Sequence, residues 1–66
     1  MRVICNATLA DKRQIDNLCE CIKVVGADYY IKRNTVYAEF DGVREKGELL
    51  ANIFRNYPDH GVSILS

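Results

Sequence analysis

Residues 27–40, ADYYIKRNTVYAEF, contain two segments in which apolar and polar side chains alternate. An alternation with a period of two is typical of a β-strand that buries one face. A two-residue turn at Arg33-Asn34 aligns the segments so that their apolar sides coincide. The pairs expected on that side are Ile31 with Val36, Tyr29 with Ala38, and Ala27 with Phe40. The segment therefore predicts a β-hairpin, with Asn34 better suited than Arg33 to a positive φ, and with a longer turn as the alternative.

A helix is predicted on the N-terminal side of this hairpin. Asp11 is a suitable N-cap, and Gln14 three residues later completes a capping-box pattern. Gly26 follows as the expected C-cap. Apolar residues between the caps recur at helical spacing: Ile15, Leu18, Cys19, Ile22 and Val25. This spacing predicts one buried stripe along the helix.

A second helix is predicted on the C-terminal side of the hairpin, from about Val43 to Asn56. A break at residues 41–42 ends the preceding strand, and Pro58 stops the helix. The apolar face of this helix is predicted to contain Val43, Gly47, Leu50, Ile53, Phe54 and Tyr57. Glycine destabilises a helix interior by about 1 kcal/mol relative to alanine. We therefore expect Gly47 to allow a close approach to the sheet or to the first helix.

The two ends of the chain are predicted to form the remaining strands. Residues 2–9 alternate, and the apolar set expected to face the core is Val3, Cys5, Ala7 and Leu9. A turn at residues 58–61 leads into the last strand, from Val62 to Leu65.

The resulting order β-α-β-β-α-β predicts a single α+β domain over residues 1–66. Right-handed crossovers place two helices on one face of a four-stranded antiparallel sheet with strand order 4-1-3-2. This arrangement is similar to the ferredoxin-like sandwich. Proteins of that fold include metal chaperones, amino-acid-sensing domains, RNA-binding modules and small inhibitors, so the fold by itself predicts no function.

Charge and length narrow the classes of function. Nine basic residues balance nine acidic ones, whereas nucleic-acid binders tend to be basic. The apolar runs are far shorter than the ~20 residues that span a bilayer, and Met1 leads into a strand-like segment without a signal-peptide pattern. We therefore expect a cytoplasmic protein that does not enter a membrane. A chain of this length has a small core, and self-association is a common source of extra stability.

No residue cluster in the sequence predicts catalysis, a metal or a cofactor. Cys19 and Cys21 are two residues apart on a helix, so their thiols point about 200° apart and cannot bind one ion together. Ferredoxin-like metal chaperones, which this chain resembles in fold, carry a Cys-x-x-Cys pair in the loop after the first strand, and residues 7–11 contain no cysteine. His60 stands beside Asp59 in a predicted turn, with no nucleophile near it. The sequence therefore predicts a protein that is not an enzyme.

The uncovered face of the sheet is the first predicted binding surface. We name it the open face and define it by Ile4, Asn6, Tyr30, Tyr37 and Glu39. Tyr30 and Tyr37 are expected to be cross-strand neighbours, and tyrosine is enriched at protein interfaces; the alternative is a pair that only stabilises the hairpin. RNA-recognition modules place aromatic residues on this face, but the first strand here offers Ile4 and Asn6 instead. The open face therefore favours a protein partner over a nucleic acid.

One end of the domain is the second predicted surface. We name it the basic pole and define it by Lys12, Arg13, Lys32, Arg33 and Arg55. In the predicted topology the start of the first helix, the hairpin turn and the end of the second helix lie together at this end. Basic side chains beside a helix N-terminus favour an anion or an acidic partner. The alternative is that these residues are ordinary solubilising charges.

Together these features predict a small non-enzymatic protein-interaction module, a regulator or inhibitor, that acts through the open face, the basic pole or both. We expect a protein partner, with a homodimer through the sheet as one form of it. A nucleic-acid or phosphate-binding domain that uses the basic pole is the first alternative. An accessory subunit of a larger enzyme is the second.

Overall fold

The computed structural model describes residues 1–65, which form one layer of sheet and one layer of helices. Six elements follow one another: β1 (Arg2–Thr8), α1 (Lys12–Val25), β2 (Asp28–Lys32), β3 (Thr35–Asp41), α2 (Arg44–Arg55) and β4 (His60–Leu65). Neighbouring strands are antiparallel, in the order β2-β3-β1-β4. The predicted α+β ferredoxin-like arrangement is confirmed, because this order is 4-1-3-2 read from the other edge.

Helix α1 begins and ends at the predicted caps. The Asp11 carboxylate accepts a hydrogen bond from the Gln14 backbone N–H at 2.9 Å, and the Gln14 side chain accepts one from the Ala10 backbone N–H at 3.3 Å. At the other end Gly26 adopts φ 88°, and its N–H donates to the carbonyl oxygens of Ile22 and Lys23. All five residues of the predicted stripe are buried, so the apolar spacing identified the packed side of this helix correctly.

Helix α2 begins at Arg44, and its predicted face is only partly correct. Val43 is the N-cap, with extended backbone, and its side chain is 62% exposed; its prediction as a core residue is wrong because it lies before the first helical turn. Gly47 is buried, and a Cβ there would lie 3.2 Å from Met1 Sδ and from Val3 Cγ2. The expected close approach of this glycine is therefore confirmed, and it is made to the start of β1.

The central hairpin has the predicted register and a two-residue turn. Tyr29 pairs with Ala38, and Lys32 pairs with Thr35 on either side of Arg33-Asn34. The positive φ of 57° belongs to Arg33, although asparagine suits such a φ better than arginine does. A positive φ at the first of the two turn residues matches the twist of the paired strands. The pairing therefore holds an arginine in a conformation that its side chain disfavours.

Strand β4 begins two residues earlier than predicted. His60 pairs with Ala7, and Gly61 pairs with Asn6 on β1. The Thr8 backbone N–H also donates to the Asp59 carbonyl oxygen at 3.0 Å. The observed turn is therefore shorter than the predicted one, because backbone pairing with β1 extends the strand back to His60.

The core lies between the two helices and one face of the sheet. Its largest fully buried side chains are Phe54, Leu18, Ile22, Leu50, Val3, Val36 and Cys5. Within residues 1–65 no polar or charged residue is buried. Because both helices contribute to this one core, the opposite face of the sheet carries no helix. Neither of the two helices in this range has the length and apolar character required to cross a membrane.

Candidate functional site

The sheet brings all five predicted residues of the open face together. Tyr37 on β3 pairs with Tyr30 on one side and with Asn6 on the other. Two residues after Tyr37 on the same strand, Glu39 pairs with Ile4. Because directly paired residues point to the same side of a sheet, these side chains form one continuous surface on the face opposite the core.

Tyr30 and Tyr37 form a stacked pair at the centre of this surface. Their ring centroids are 4.8 Å apart and their planes differ by 13°. Tyr30 is 62% exposed, and the neighbouring Ile4 is 38% exposed. A shallow hollow of about 190 Å³ lies between these rings, Ile4 and Glu39. The centre of the open face is therefore aromatic and aliphatic, and it is accessible.

One end of the open face is acidic, and it contains an arginine that the sequence analysis did not select. Arg2 pairs with Asp41 in the register of β1 with β3, and its Nη2 lies 2.6 Å from Glu39 Oε1. Asp28 is opposite Glu39 on β2. We name Asp28, Glu39 and Asp41 the acidic end. Arg2 neutralises the charge of Glu39. The sequence could have placed Arg2 here, because it is two residues before Ile4 on β1 and such residues lie on the same face of a strand.

Four of the five residues of the basic pole belong to segments that meet at the other end of the strands. The Leu9 backbone N–H donates to the Asn34 carbonyl oxygen at 2.9 Å, which ties the approach to α1 to the hairpin turn. Both segments carry exposed cations: Lys12 and Arg13 shortly after Leu9, and Lys32 and Arg33 directly before Asn34. Within residues 1–65 none of these four forms an ion pair. One amide at the N-terminus of α1 is already bonded to Asp11, as the capping pattern predicts, and it is therefore not free to bind an anion.

The fifth residue of the basic pole, Arg55, turns away from the others. Its Nη1 donates to Asn52 Oδ1 at 3.2 Å, one turn back along α2. From there it lines a groove between α2 and Ile64 of β4. The sequence located the end of α2 correctly but could not indicate which way this long side chain would point.

The cysteines and the histidine lie apart from both surfaces. Burial raises the pKa of the Cys5 thiol to about 11, against a smaller lowering by the charge of Arg55. Burial and the nearby Asp16 carboxylate raise the pKa of Cys19 as well. Both thiols are therefore protonated at neutral pH and poorly reactive. The His60 ring contacts the carbonyl oxygen of Tyr57 through Nδ1. Residues 1–65 contain no group of three or more His, Cys, Asp or Glu side chains arranged to hold a metal ion.

Compared with known proteins, the sequence matches no family model, and neither a curated protein nor a solved structure is found to be similar to the chain. Its function therefore has to be inferred from the geometry of the described residues.

Proposed function

We propose that the chain is a small non-enzymatic protein-interaction module, of the regulator or inhibitor type, that self-associates through the open face. The observation that carries this proposal is the stacked tyrosine pair, in which Tyr30 is 62% exposed on a face that no helix covers. Tyrosine is enriched in interfaces, and aromatic residues often supply most of the binding free energy. An exposed aromatic and aliphatic patch on a small domain supports a contact surface.

The charges around the tyrosines support a specific geometry for a dimer. Asp28 and Lys32 lie at opposite ends of β2, with Tyr30 midway between them. Consider two copies packed face to face about a two-fold axis that lies between the sheets and runs perpendicular to the strands. Each β2 then lies over its counterpart in reverse, so that Asp28 of one copy meets Lys32 of the other. An axis parallel to the strands would instead place the acidic end of one copy over the acidic end of the other. Electrostatic complementarity therefore favours the perpendicular axis.

The size of the face predicts a weak dimer. Four strands about 4.8 Å apart, each with about six residues at ~3.3 Å, cover roughly 400 Å² per copy. Two such faces bury about 800 Å² together, less than the 1,200–2,000 Å² typical of stable specific interfaces. We therefore expect a dissociation constant in the micromolar range, and association that depends on protein concentration.

The test is the molar mass measured by light scattering behind a sizing column, at low and moderate salt and over a range of concentrations. We expect the mass to rise from 7.5 kDa toward twice that value, with dimer still present at moderate salt. The double variant Tyr30→Ala/Tyr37→Ala should remain a folded monomer. A matched control, Val24→Ala/Leu49→Ala, removes two exposed apolar side chains from the helices and should associate like the wild type.

The dimer geometry is tested separately by reversing charges on β2 at low salt. Lys32→Glu should weaken association, because it places a carboxylate opposite Asp28 of the other copy. Adding Asp28→Lys to the same chain should restore association, since the opposite charges then meet again. If the double tyrosine variant still dimerises, the open face is not the contact. If the tyrosine variant is monomeric but Asp28→Lys does not restore the association that Lys32→Glu weakens, the open face is the contact and the proposed orientation of the two copies is wrong.

A phosphate or nucleic-acid binder is the second candidate function, and the basic pole favours it. Four exposed cations from two adjoining segments have no ion-pair partner within residues 1–65. Such binding weakens steeply as salt rises, because cations on the protein displace counterions from phosphates. The balanced charge of the chain makes this the weaker candidate.

A labelled single-stranded 20-nucleotide RNA, titrated by fluorescence anisotropy at several salt concentrations, tests this second candidate. The triple variant Lys12→Glu/Arg13→Glu/Arg33→Glu should abolish binding. Lys46→Glu changes a cation on α2 outside the basic pole and should leave it nearly unchanged. Binding that ignores both salt and the triple variant would remove the basic pole from consideration.

A further inference from the structure

A groove separates α2 from the edge strand β4 on the helix side of the sheet. Its volume is about 670 Å³, and its lining includes Met1, Arg44, Ala51, Asn52, Arg55 and Ile64. Hollows of roughly 300–1,000 Å³ are the usual size of ligand-binding sites. Ile64 pairs with the buried Val3 and so faces the helix side, yet 47% of its surface is exposed. The groove leaves uncovered an aliphatic side chain that points toward the core layer.

The two edges of the sheet differ in how they are protected against a further strand. On β2, Asp28 and Lys32 place a charge at each end of the edge. Strand β4 contains no Asp, Glu, Lys, Arg or Pro between His60 and Leu65. Charged residues and proline on an edge strand discourage the addition of another strand. The outer edge of β4 therefore presents backbone donors and acceptors without this protection, next to an open groove.

The charge of the groove indicates what kind of strand would fit. Arg44 and Glu48 both line the groove and neutralise each other, because Glu48 Oε1 lies 2.9 Å from Arg44 Nε. Arg55 has no carboxylate partner within residues 1–65 and bonds only the Asn52 amide oxygen. It lines the groove together with Ile64 of β4, so its charge lies beside the edge of the sheet. An acidic side chain entering the groove would complete the ion pair that Arg55 lacks.

We propose that the β4 edge and this groove bind an extended acidic segment of a partner protein as a fifth strand. The partner backbone bonds the outer edge of β4, one apolar side chain packs on Ile64, and a carboxylate reaches Arg55. A second copy of β4 does not fit this description, because the strand has no acidic residue to offer. The other edge strand of a second copy, β2, has Asp28, but the charges at both of its ends discourage strand addition. The occupant that we propose is therefore a different protein, and the site is separate from the open face.

The probe is an eight-residue peptide with blocked ends, in which serine occupies every second position and valine and glutamate take turns at the others. Its valines and glutamates therefore share the side of the strand that faces the groove. Binding is measured by fluorescence anisotropy and by NMR amide shifts. We expect shifts concentrated on β4 and near Arg55. Arg55→Glu should weaken binding at least tenfold, whereas Lys46→Glu, on the same helix but outside the groove, should change it less than twofold. The same peptide with lysine in place of glutamate should show the reverse preference and bind Arg55→Glu better than the wild type.

Two adjacent residues of similar exposure give a second matched pair. Ile64 is 47% exposed in the groove, and Leu65 is 45% exposed on the opposite side of the sheet. Ile64→Ala should weaken peptide binding at least tenfold, and Leu65→Ala should not. Peptide shifts on β2 or on the open face, equal affinity of wild type and Arg55→Glu, or no binding at millimolar peptide would each overturn the proposal. None of these outcomes changes the molar mass measured in the dimer test.

Discussion

The two faces of β1 differ residue by residue along a single strand. Val3 and Cys5 are fully buried under the helices, while Ile4 between them is 38% exposed on the open face. All three are apolar or nearly so, and what separates them is the layer of helices on one side. The core face is covered by the chain's own helices, whereas within residues 1–65 no helix covers Ile4 on the open face. Changes on the first face should report on stability, and changes on the second should report mainly on association.

The largest effect should come from the core face. Phe54→Ala removes a fully buried ring, and such changes cost about 3–5 kcal/mol. That cost is comparable with the whole stability expected for 66 residues, roughly 3–10 kcal/mol. Urea unfolding followed by circular dichroism should show a largely unfolded variant. Leu49→Ala, on the same helix but half exposed, should cost less than about 1.5 kcal/mol; equal costs for the two variants would contradict this account of the core.

The free energy of unfolding should fall at alkaline pH because Cys5 is buried. Its pKa is raised from 9.0 to about 11 in the folded state, so the folded chain holds this proton more tightly than the unfolded chain does. The corresponding stability is fully present below pH 9 and is lost as pH rises toward 11, about 2–3 kcal/mol in all. Cys5→Ala should remove this part of the alkaline fall in the free energy of unfolding.

The control for the alkaline experiment is Val3→Ala, which removes a buried side chain from the same face of β1 but keeps the thiol. It should be less stable than the wild type at every pH. Between pH 9 and 11 its free energy of unfolding should fall by the same amount as that of the wild type. A wild type and Cys5→Ala with parallel pH profiles would show that the buried thiol is not responsible.

A smaller effect is expected from the open face. Tyr30→Ala loses a stacking contact, and aromatic pairs contribute about 0.5–1.5 kcal/mol beyond the area they bury. Thermal unfolding at low protein concentration should place this cost near 1 kcal/mol, and Tyr30→Phe should recover most of it. A cost as large as that of Phe54→Ala would contradict the distinction between the two faces, because the open face would then contribute to stability as the core does.

The smallest effect should be a gain at the hairpin turn. Arg33 adopts φ 57°, which costs a non-glycine residue roughly 1–2 kcal/mol. Arg33→Gly removes that strain and adds back less than ~1 kcal/mol of chain entropy. We expect the melting temperature to rise by about 2–4 °C. Arg33→Ala should give no comparable rise, and if it does, the strain is not the cause.

Most of the fold could be predicted because its signals are local. The caps Asp11 and Gly26, the helical spacing of α1 and the alternation of β1 each lie within a few residues of the structure that they specify. The structure departs from expectation where the pattern of apolar residues fixes neither a helix boundary nor a backbone angle. Val43 is exposed because α2 starts one residue later than its apolar pattern suggests. The positive φ falls on Arg33 because strand pairing sets the twist of the turn.

The candidate sites divide in the same way. The residues of the open face were predictable, since side chains on a strand alternate and the register of the hairpin follows from its short turn. The direction of Arg55 and the groove beside Ile64 were not, because the groove is a gap between two elements and leaves no pattern in either.

The sequence by itself determined the order of the elements, which side of each is apolar and how the central hairpin is aligned, because hydrophobic periodicity and capping act over short distances along the chain. Only the tertiary structure determined which apolar side chains the helices cover, which edge strand lacks charge beside an open groove, and where the long arginine side chains point. Those features depend on the packing of segments far apart in sequence, and they include the edge and groove at which the acidic strand of a partner is proposed to bind.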